Sequence, residues 1–261
     1  MKRNNLSDRT IKFAFVLISV LVLIFIIVPM ARLTLFINAK TLSVIEESSV
    51  LEAIFNSLSL SFVCGLISIV IGVPFAYLLA KNFFKKLNKF IETVADIPIS
   101  IPHTVAGIAL LFIYGKEGII GSLSYRLFNF QITGTRVAIV IAMLFVSLPY
   151  MVNSAKESFR SIDKELEKTA FMLGAGEFNV FKDVYLPLSK NAIYSGFILV
   201  WARAISEFGA VVMLAYYPMT APVKIYNAFN EMNLETSAAI AAYLLLICIG
   251  FFLTLRFLIK R

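Results

Sequence analysis

From Ala53 to Ala80 the chain runs without one charged side chain. Three further windows, Phe13–Ala31, Ile97–Gly115 and Val137–Ala155, are also free of charge. Another starts at Thr236 and runs uncharged up to Arg256. The window Asn191–Val223 is longer still and holds only Arg203 and Glu207. A helix crosses a bilayer with about 20 mostly apolar residues, and each of these windows is of that order or longer. Six such windows predict an all-α membrane protein with six transmembrane helices. Barrel strands alternate polar and apolar residues over roughly 10 positions, which these runs do not do. Composition agrees: 59% of the 261 residues are hydrophobic and 15% charged, with mean hydropathy +0.85. Soluble domains carry about 25% charged residues, so a soluble globule is excluded. Disorder, which needs low hydrophobicity, is excluded as well.

The placement of the basic residues predicts topology. Lys2, Arg3, Arg9 and Lys12 precede the first window. Lys81, Lys85, Lys86 and Lys89 follow the second. Lys156, Arg160, Lys164, Lys168, Lys182 and Lys190 follow the fourth, and Arg256, Lys260 and Arg261 end the chain. These 17 of the 24 basic residues fall on one face, against six on the other, and the positive-inside rule makes that face cytoplasmic. Both termini are then cytoplasmic. The net charge of +8 reads as a topology signal, and no nucleic-acid partner is expected because the basic residues follow a membrane face. The first window mimics a signal peptide, but no small-x-small cleavage site follows it, so an uncleaved anchor is expected. Cys64 and Cys248 both fall in windows and are expected to be buried small residues. With one histidine in the chain, metal-type Cys/His spacing does not occur.

The chain therefore reads as a single transmembrane domain over residues 1–261. Its longest non-membrane segment is Lys156–Lys190, too short for a core of its own. Ile162, Leu166, Ala170 and Leu173 recur at helical spacing, opposite charged Asp163, Lys164, Glu165, Glu167 and Lys168. Gly174 and Gly176 are expected to break that helix. Leu186 and Pro187 then open the next membrane helix, with Pro187 in its first turn where a missing N–H costs nothing. A helix–turn–helix on the cytoplasmic face suits either an interfacial loop or a docking surface for a partner.

Glu167-Lys168-Thr169-Ala170, Gly174 and Val184-Tyr185-Leu186-Pro187 together resemble the EAA loop of ABC importer permeases. That pattern is Glu-Ala-Ala, three residues, Gly, nine residues, Ile-x-Leu-Pro. Here Lys168-Thr169-Ala170 stands for Glu-Ala-Ala, Val184 for the isoleucine, and Glu167 lies one residue early. Asp96-Ile97-Pro98 through Pro102-His103-Thr104-Val105-Ala106-Gly107 is similar to the start of the third helix of molybdate, tungstate and sulfate permeases, which commonly have Pro where this chain has His103. Ala202-Arg203-Ala204-Ile205-Ser206-Glu207-Phe208-Gly209-Ala210 is similar to the Arg-Ala-x-x-Glu-Phe-Gly signature of oxyanion permeases. Tyr216-Tyr217-Pro218-Met219-Thr220-Ala221-Pro222 looks most like the molybdate and tungstate members.

The resemblance implies the type I ABC importer permease fold and a multi-pass protein of the prokaryotic cell membrane, acting as a homodimer. It implies two cytoplasmic ABC ATPase subunits and an extracytoplasmic oxyanion-binding protein as partners. No G-x-x-x-x-G-K-[ST] motif occurs, so ATP and Mg are expected on the ATPase and no cofactor on this chain. The implied function is import of molybdate or tungstate by alternating access, with sulfate or thiosulfate as the alternative cargo. Residues 156–190 are the expected coupling loop, with Glu167, Lys168, Thr169, Ala170, Gly174, Ala175, Leu186 and Pro187 carrying it. Pro102, His103, Thr104, Arg203, Ser206, Glu207, Phe208 and Gly209 are the expected translocation path or gate. Arg203 and Glu207, at i and i+4, are expected to pair on one helix face. The pair suits a lock between helices or a gate near the dimer axis. Thr104 is expected to cap the helix after Pro102.

Overall fold

The computed structural model describes the backbone of residues 4–35, 37 and 39–259, and the side chains of residues 11–35, 37, 41 and 43–254. The basic side chains of Lys2, Arg3, Arg9, Lys40, Arg256, Lys260 and Arg261 lie outside the described residues. Every regular element among the described residues is helical. In chain order these are α1 (Asn4–Thr34), α2 (Ala39–Glu46), α3 (Ser48–Ala80), a 3-10 turn (Lys85–Leu87), α4 (Asn88–Ser100), α5 (His103–Tyr114), α6 (Ile119–Phe128) and α7 (Arg136–Ser161). Then follow α8 (Lys164–Met172), α9 (Glu177–Val180), a π turn (Phe181–Tyr185), α10 (Leu186–Leu188), α11 (Lys190–Ile205), α12 (Gly209–Leu214), α13 (Ala221–Asn230) and α14 (Leu234–Ile259).

Four of the six apolar windows become single helices long enough to cross a membrane: Ile11–Thr34, Ser48–Ala80, Arg136–Ser161 and Leu234–Thr254. The third window is a bent pair, Lys85–Ser100 and His103–Tyr114, with 112° between its halves. Pro102 explains the bend. The residue before a proline is pushed out of the α region, and Ile101 is extended at φ −82°, ψ 147°. The fifth window is divided between α11, of 16 residues, and the short α12. Among the described residues, length and apolarity thus give four helices fit to cross a membrane, or five with the bent pair, where the sequence pattern predicts six.

The core is built from α3, α7 and α11. Cys64 Sγ lies 3.4 Å from Ser147 Oγ, and the Tyr77 and Phe159 rings meet at 5.9 Å, so α3 and α7 run in the same direction. Ser154 Oγ donates to the Ala192 carbonyl at 2.7 Å, and Ser158 meets Ser189 at 2.9 Å, so α11 runs the opposite way. Lipid is as apolar as these side chains, so burial does not drive their association; close approach at small residues does. A Cβ on Gly65 would come within 2.6 Å of Phe197, and one on Gly196 within 3.0 Å of the Met151 sulfur. Pro74 and Pro149 sit inside α3 and α7 without ending them.

Two polar residues of α3 hold the chain where it leaves α12. Asn56 Nδ2 donates to the Met219 carbonyl at 3.0 Å, and the Ala221 N–H donates to Ser57 Oγ at 2.7 Å. Unpaired backbone groups cost several kcal/mol in hydrocarbon, and these two bonds satisfy such groups of a non-helical link. Trp201 is buried, with its ring centroid 3.6 Å from that of Phe251. Cys64 is fully buried, whereas Cys248, expected to be buried, is half-exposed beside α11.

Candidate functional site

The two helix breaks meet. Arg203 lies in the last turn of α11, Glu207 in the link to α12, and His103 at the first position of α5. Arg203 Nη2 donates to Glu207 Oε2 at 2.8 Å. The same Nη2 lies 2.6 Å from His103 Nε2 and 3.0 Å from Nδ1. His103 Nδ1 lies 3.5 Å from Glu207 Oε2. A guanidinium only donates, so a ring nitrogen must accept. The arrangement fits the tautomer with Nε2 accepting from Arg203 and Nδ1–H turned to Glu207. Glu207 Oε1 accepts the Ala210 N–H at 2.8 Å, satisfying one free donor of α12.

The pair differs from the expectation of one continuous helix face. α11 ends at Ile205, and Glu207 is reached through a turn in which its N–H donates to the Ala204 carbonyl at 3.0 Å. The glutamate is 1% exposed, the arginine 20% and the histidine 38%, so the cluster is buried on the glutamate side and open on the histidine side. Removing one partner of such a pair costs about 3–5 kcal/mol, because the other charge is left buried alone. Pro102, Thr104 and Ser206 are exposed around the opening, and Ser206 Oγ lies 3.4 Å from Arg203 Nη1. Phe208 is half-buried against the Tyr226 ring at 4.9 Å. Gly209 lets α5 approach: a Cβ there would lie 2.7 Å from His103 Cβ and 3.1 Å from the Thr104 nitrogen. Thr104, expected to cap α5, makes no such bond; the helix starts from Pro102 with no side-chain cap.

The loop after α7 forms the second site. Asp163 caps α8 by accepting the Glu165 N–H at 3.0 Å. Gly174 ends it at φ +85°, with the Ala175 N–H donating to the Ala170 carbonyl at 3.0 Å and the Gly174 N–H to the Phe171 carbonyl at 2.9 Å. These two bonds are the Schellman ending, which needs a residue at home in the left-handed region. Gly176, expected to share that role, is extended at φ −79° and starts α9 instead. Lys168 is exposed and pairs with Glu165 at 2.6 Å, and Thr169 Oγ1 donates to the Glu165 carbonyl at 2.8 Å. Ala170, Ala175 and Leu186 are half-buried against the core.

The apolar stripe is not the inward face of α8. Ile162 and Ala170 face the core, but Leu166 is 48% and Leu173 84% exposed, joined by Met172 and Phe178. α8 turns Glu167 inward instead. Glu167 Oε1 takes the Lys81 ammonium, and Oε2 accepts from the Tyr185 hydroxyl at 2.7 Å. Burial raises the Glu167 carboxyl, but the Lys81 and Tyr185 bonds outweigh it and hold the group below its ordinary value. Burial and the same carboxylate push the Tyr185 hydroxyl well above its ordinary value, so it stays a donor. Pro187 differs too: it lies in a helical path that already runs through the π turn, not at a fresh helix start. The π turn widens the helix just before a residue that cannot donate. Neither Lys81 nor Tyr185 is among the site residues that the sequence predicts. The one signal for Lys81 is its position as the first charge after the longest charge-free run.

Residues 72–261 match the family described as "Binding-protein-dependent transport system inner membrane component". The chain is 39% identical over 246 residues to the molybdate/tungstate transport system permease protein WtpB of Methanocaldococcus jannaschii, covering 94% of this chain and 96% of that protein. It is 43% identical over 212 residues to the protein of the same name from Pyrococcus furiosus, covering 81% of this chain and 79% of the relative. A bacterial ABC transporter involved in the import of the acidic polysaccharide alginate contains a chain of the same fold, at TM-score 0.79, 13% identity and 99% and 98% coverage.

Proposed function

The chain belongs to the family of binding-protein-dependent transport system inner membrane components, and on that premise we propose that it is the permease of an ATP-driven importer of molybdate or tungstate. It is a multi-pass membrane protein and a transport component, and ATP hydrolysis belongs to a separate subunit. ATP and Mg reside on that ATPase, of which two copies serve a permease homodimer, and an extracytoplasmic binding protein selects the anion. The face carrying residues 156–190 is cytoplasmic, as are both termini.

The observation that carries the reading is the meeting of two broken helices at Arg203, Glu207 and His103. Transporters form their paths from discontinuous helices, whose ends leave backbone N–H groups free. A tetrahedral dianion needs donors, and Arg203 supplies them. Glu207 neutralises the guanidinium, so the anion is held weakly and moves on. His103 is the exposed partner and yields first. Loose binding is what a path requires when selection happens upstream. The exposed Leu166, Met172, Leu173 and Phe178 offer the ATPase an apolar footing. Closure of the ATPase dimer draws the two loops together, and the packed α3, α7 and α11 carry that displacement as a rigid body.

The test is reconstitution of the permease with an ABC ATPase and an oxyanion-binding protein from the same organism. ATP-dependent uptake of molybdate and tungstate, undiminished by excess sulfate, is the expected result. ATP-dependent uptake that prefers sulfate or thiosulfate would transfer the assignment to that cargo. Uptake that ignores ATP would overturn the importer reading altogether.

A further inference from the structure

Lys81 and Glu167 are 86 residues apart in sequence and join the end of α3 to the middle of α8. Around them the Tyr77, Phe159, Phe181 and Tyr185 rings pack with centroids 4.8 to 6.3 Å apart. The Lys81 ammonium lies 5.3 Å over the Tyr185 ring and 5.9 Å over that of Tyr77, within cation–π reach. This aromatic box belongs to α3, α7 and the π turn, so Lys81 is seated in the rigid part of the molecule.

α8 is otherwise poorly held. Among the described residues, its only ion pair to another element is the one with Lys81, since Lys168 pairs within the helix. Both its ends leave the helical path. Ile162 and Asp163 are extended at ψ 132° and 125°, and Gly174 is left-handed at φ +85°. A helix set between two such joints is not continuous with its neighbours. Glu167 bridges both joints at once, because Lys81 lies before the first and Tyr185 after the second.

We propose that Lys81, Glu167 and Tyr185 form a latch that makes α8 move with α3, and that Glu167 is the positioning residue through which force on the loop reaches the membrane helices. The proposal rests on the permease reading and adds to it the intramolecular contact that transmits the stroke. The carboxylate uses both oxygens on its own subunit, leaving Lys168 as the exposed cation of α8 beside it. A bidentate carboxylate between an ammonium and a hydroxyl fixes direction as well as distance, which a purely apolar contact does not.

Two experiments test it. In proteoliposomes holding the full complex, Glu167→Gln and Lys81→Met each lower the molybdate carried per ATP hydrolysed several-fold. Lys81→Arg, which keeps the cation over the rings and opposite the carboxylate, retains most of that ratio. An unchanged ratio in both Glu167→Gln and Lys81→Met overturns the latch, and so does a Lys81→Arg variant no better than Lys81→Met. In the second experiment the permease alone carries a nitroxide at Met172→Cys, with Cys64 and Cys248 replaced by alanine. Its spectrum is that of an immobilised helix in the otherwise native chain and of a mobile one with Glu167→Gln. Equal mobility in the two overturns the proposal. The second readout requires no transport, so it separates a wrong latch from a wrong cargo or a wrong permease reading.

Discussion

Arg203 and Glu207 meet at 2.8 Å across a helix end, the arginine in the last turn of α11 and the glutamate beyond it. The bond therefore ties two segments together instead of decorating one. Each glutamate oxygen has a separate task, Oε2 on the guanidinium and Oε1 on the Ala210 N–H.

Glu207→Gln separates these tasks. The amide oxygen still accepts from Ala210, so the start of α12 survives, but the charge opposite Arg203 is gone. Arg203 is then left to His103 and to a passing anion. The expected outcome is ATP hydrolysis that no longer drives uptake, or a leak of anion without ATP, measured as molybdate flux against phosphate release. Wild-type coupling in this variant would remove Glu207 from the gate.

The approach of α5 to α12 is set by two glycines facing each other's helices. A Cβ at Gly107 would lie 2.9 Å from Ala210 Cα, and one at Gly209 would meet the Thr104 nitrogen at 3.1 Å. Both neighbours are backbone and cannot rotate away. Gly107→Ala and Gly209→Ala are each expected to cost about 1–3 kcal/mol by overpacking. The thermal midpoint of the purified permease should fall, and Gly65→Ala should cost less because a Phe197 ring edge can shift.

Gly174 and Gly176 look alike in sequence and differ in backbone. At φ +85° an alanine is strained although space is open, so Gly174→Ala is expected to destabilise the loop by about 1 kcal/mol. At φ −79° an alanine is at ease, so Gly176→Ala is expected to be neutral or to stabilise by about 0.4–1 kcal/mol. Hydrogen exchange of the amides of residues 164–176 distinguishes the two. Equal exchange in both variants would contradict the Schellman ending.

The Glu167 carboxyl is held below its ordinary value, and the sign of its pH effect follows. A depressed carboxyl stabilises the fold above the unfolded pKa, and the contribution is lost as pH falls through the folded pKa. Protease cleavage within residues 164–176 should stay constant between about pH 5 and 8 and rise below about pH 4. In Glu167→Gln the acid-dependent rise should be absent. A rise at mildly acidic pH in the native chain would show that the carboxyl is not depressed.

Hydrophobic runs made most of the architecture legible. Windows without charge mark α1, α3, α7 and α14 because a lipid-facing helix has no tolerance for exposed charge. Pro102 bends the third window through its effect on Ile101, where the run of apolar residues alone predicts one span. The end of α11 carried no such mark: no proline interrupts Ala204 to Phe208, and the turn is held by Glu207 reaching forward to Ala210, a side-chain contact invisible to periodicity. The loop pattern located α8 but carried no sign of which side faces inward. Ile162, Leu166, Ala170 and Leu173 share a stripe, yet Glu167 wins the inward position because Lys81 waits there, and a partner 86 residues away leaves no local trace. The same distance hid Asn56 and Ser57, two polar residues in the longest charge-free run whose partners lie beyond residue 218.

The tethers at the two ends of α3 acquire a joint meaning. Near one end Lys81 grips the loop, and near the other Asn56 and Ser57 grip the link leading into α13. The helix between Asn56 and Lys81 is roughly 37 Å long at the rise of an α-helix. A strut of that length, anchored to moving parts at both ends, cannot slide or twist at one without doing so at the other. With the proposed latch in place, a pull at the loop would be carried along this strut to the link near Met219, tying the shapes of the two surfaces together.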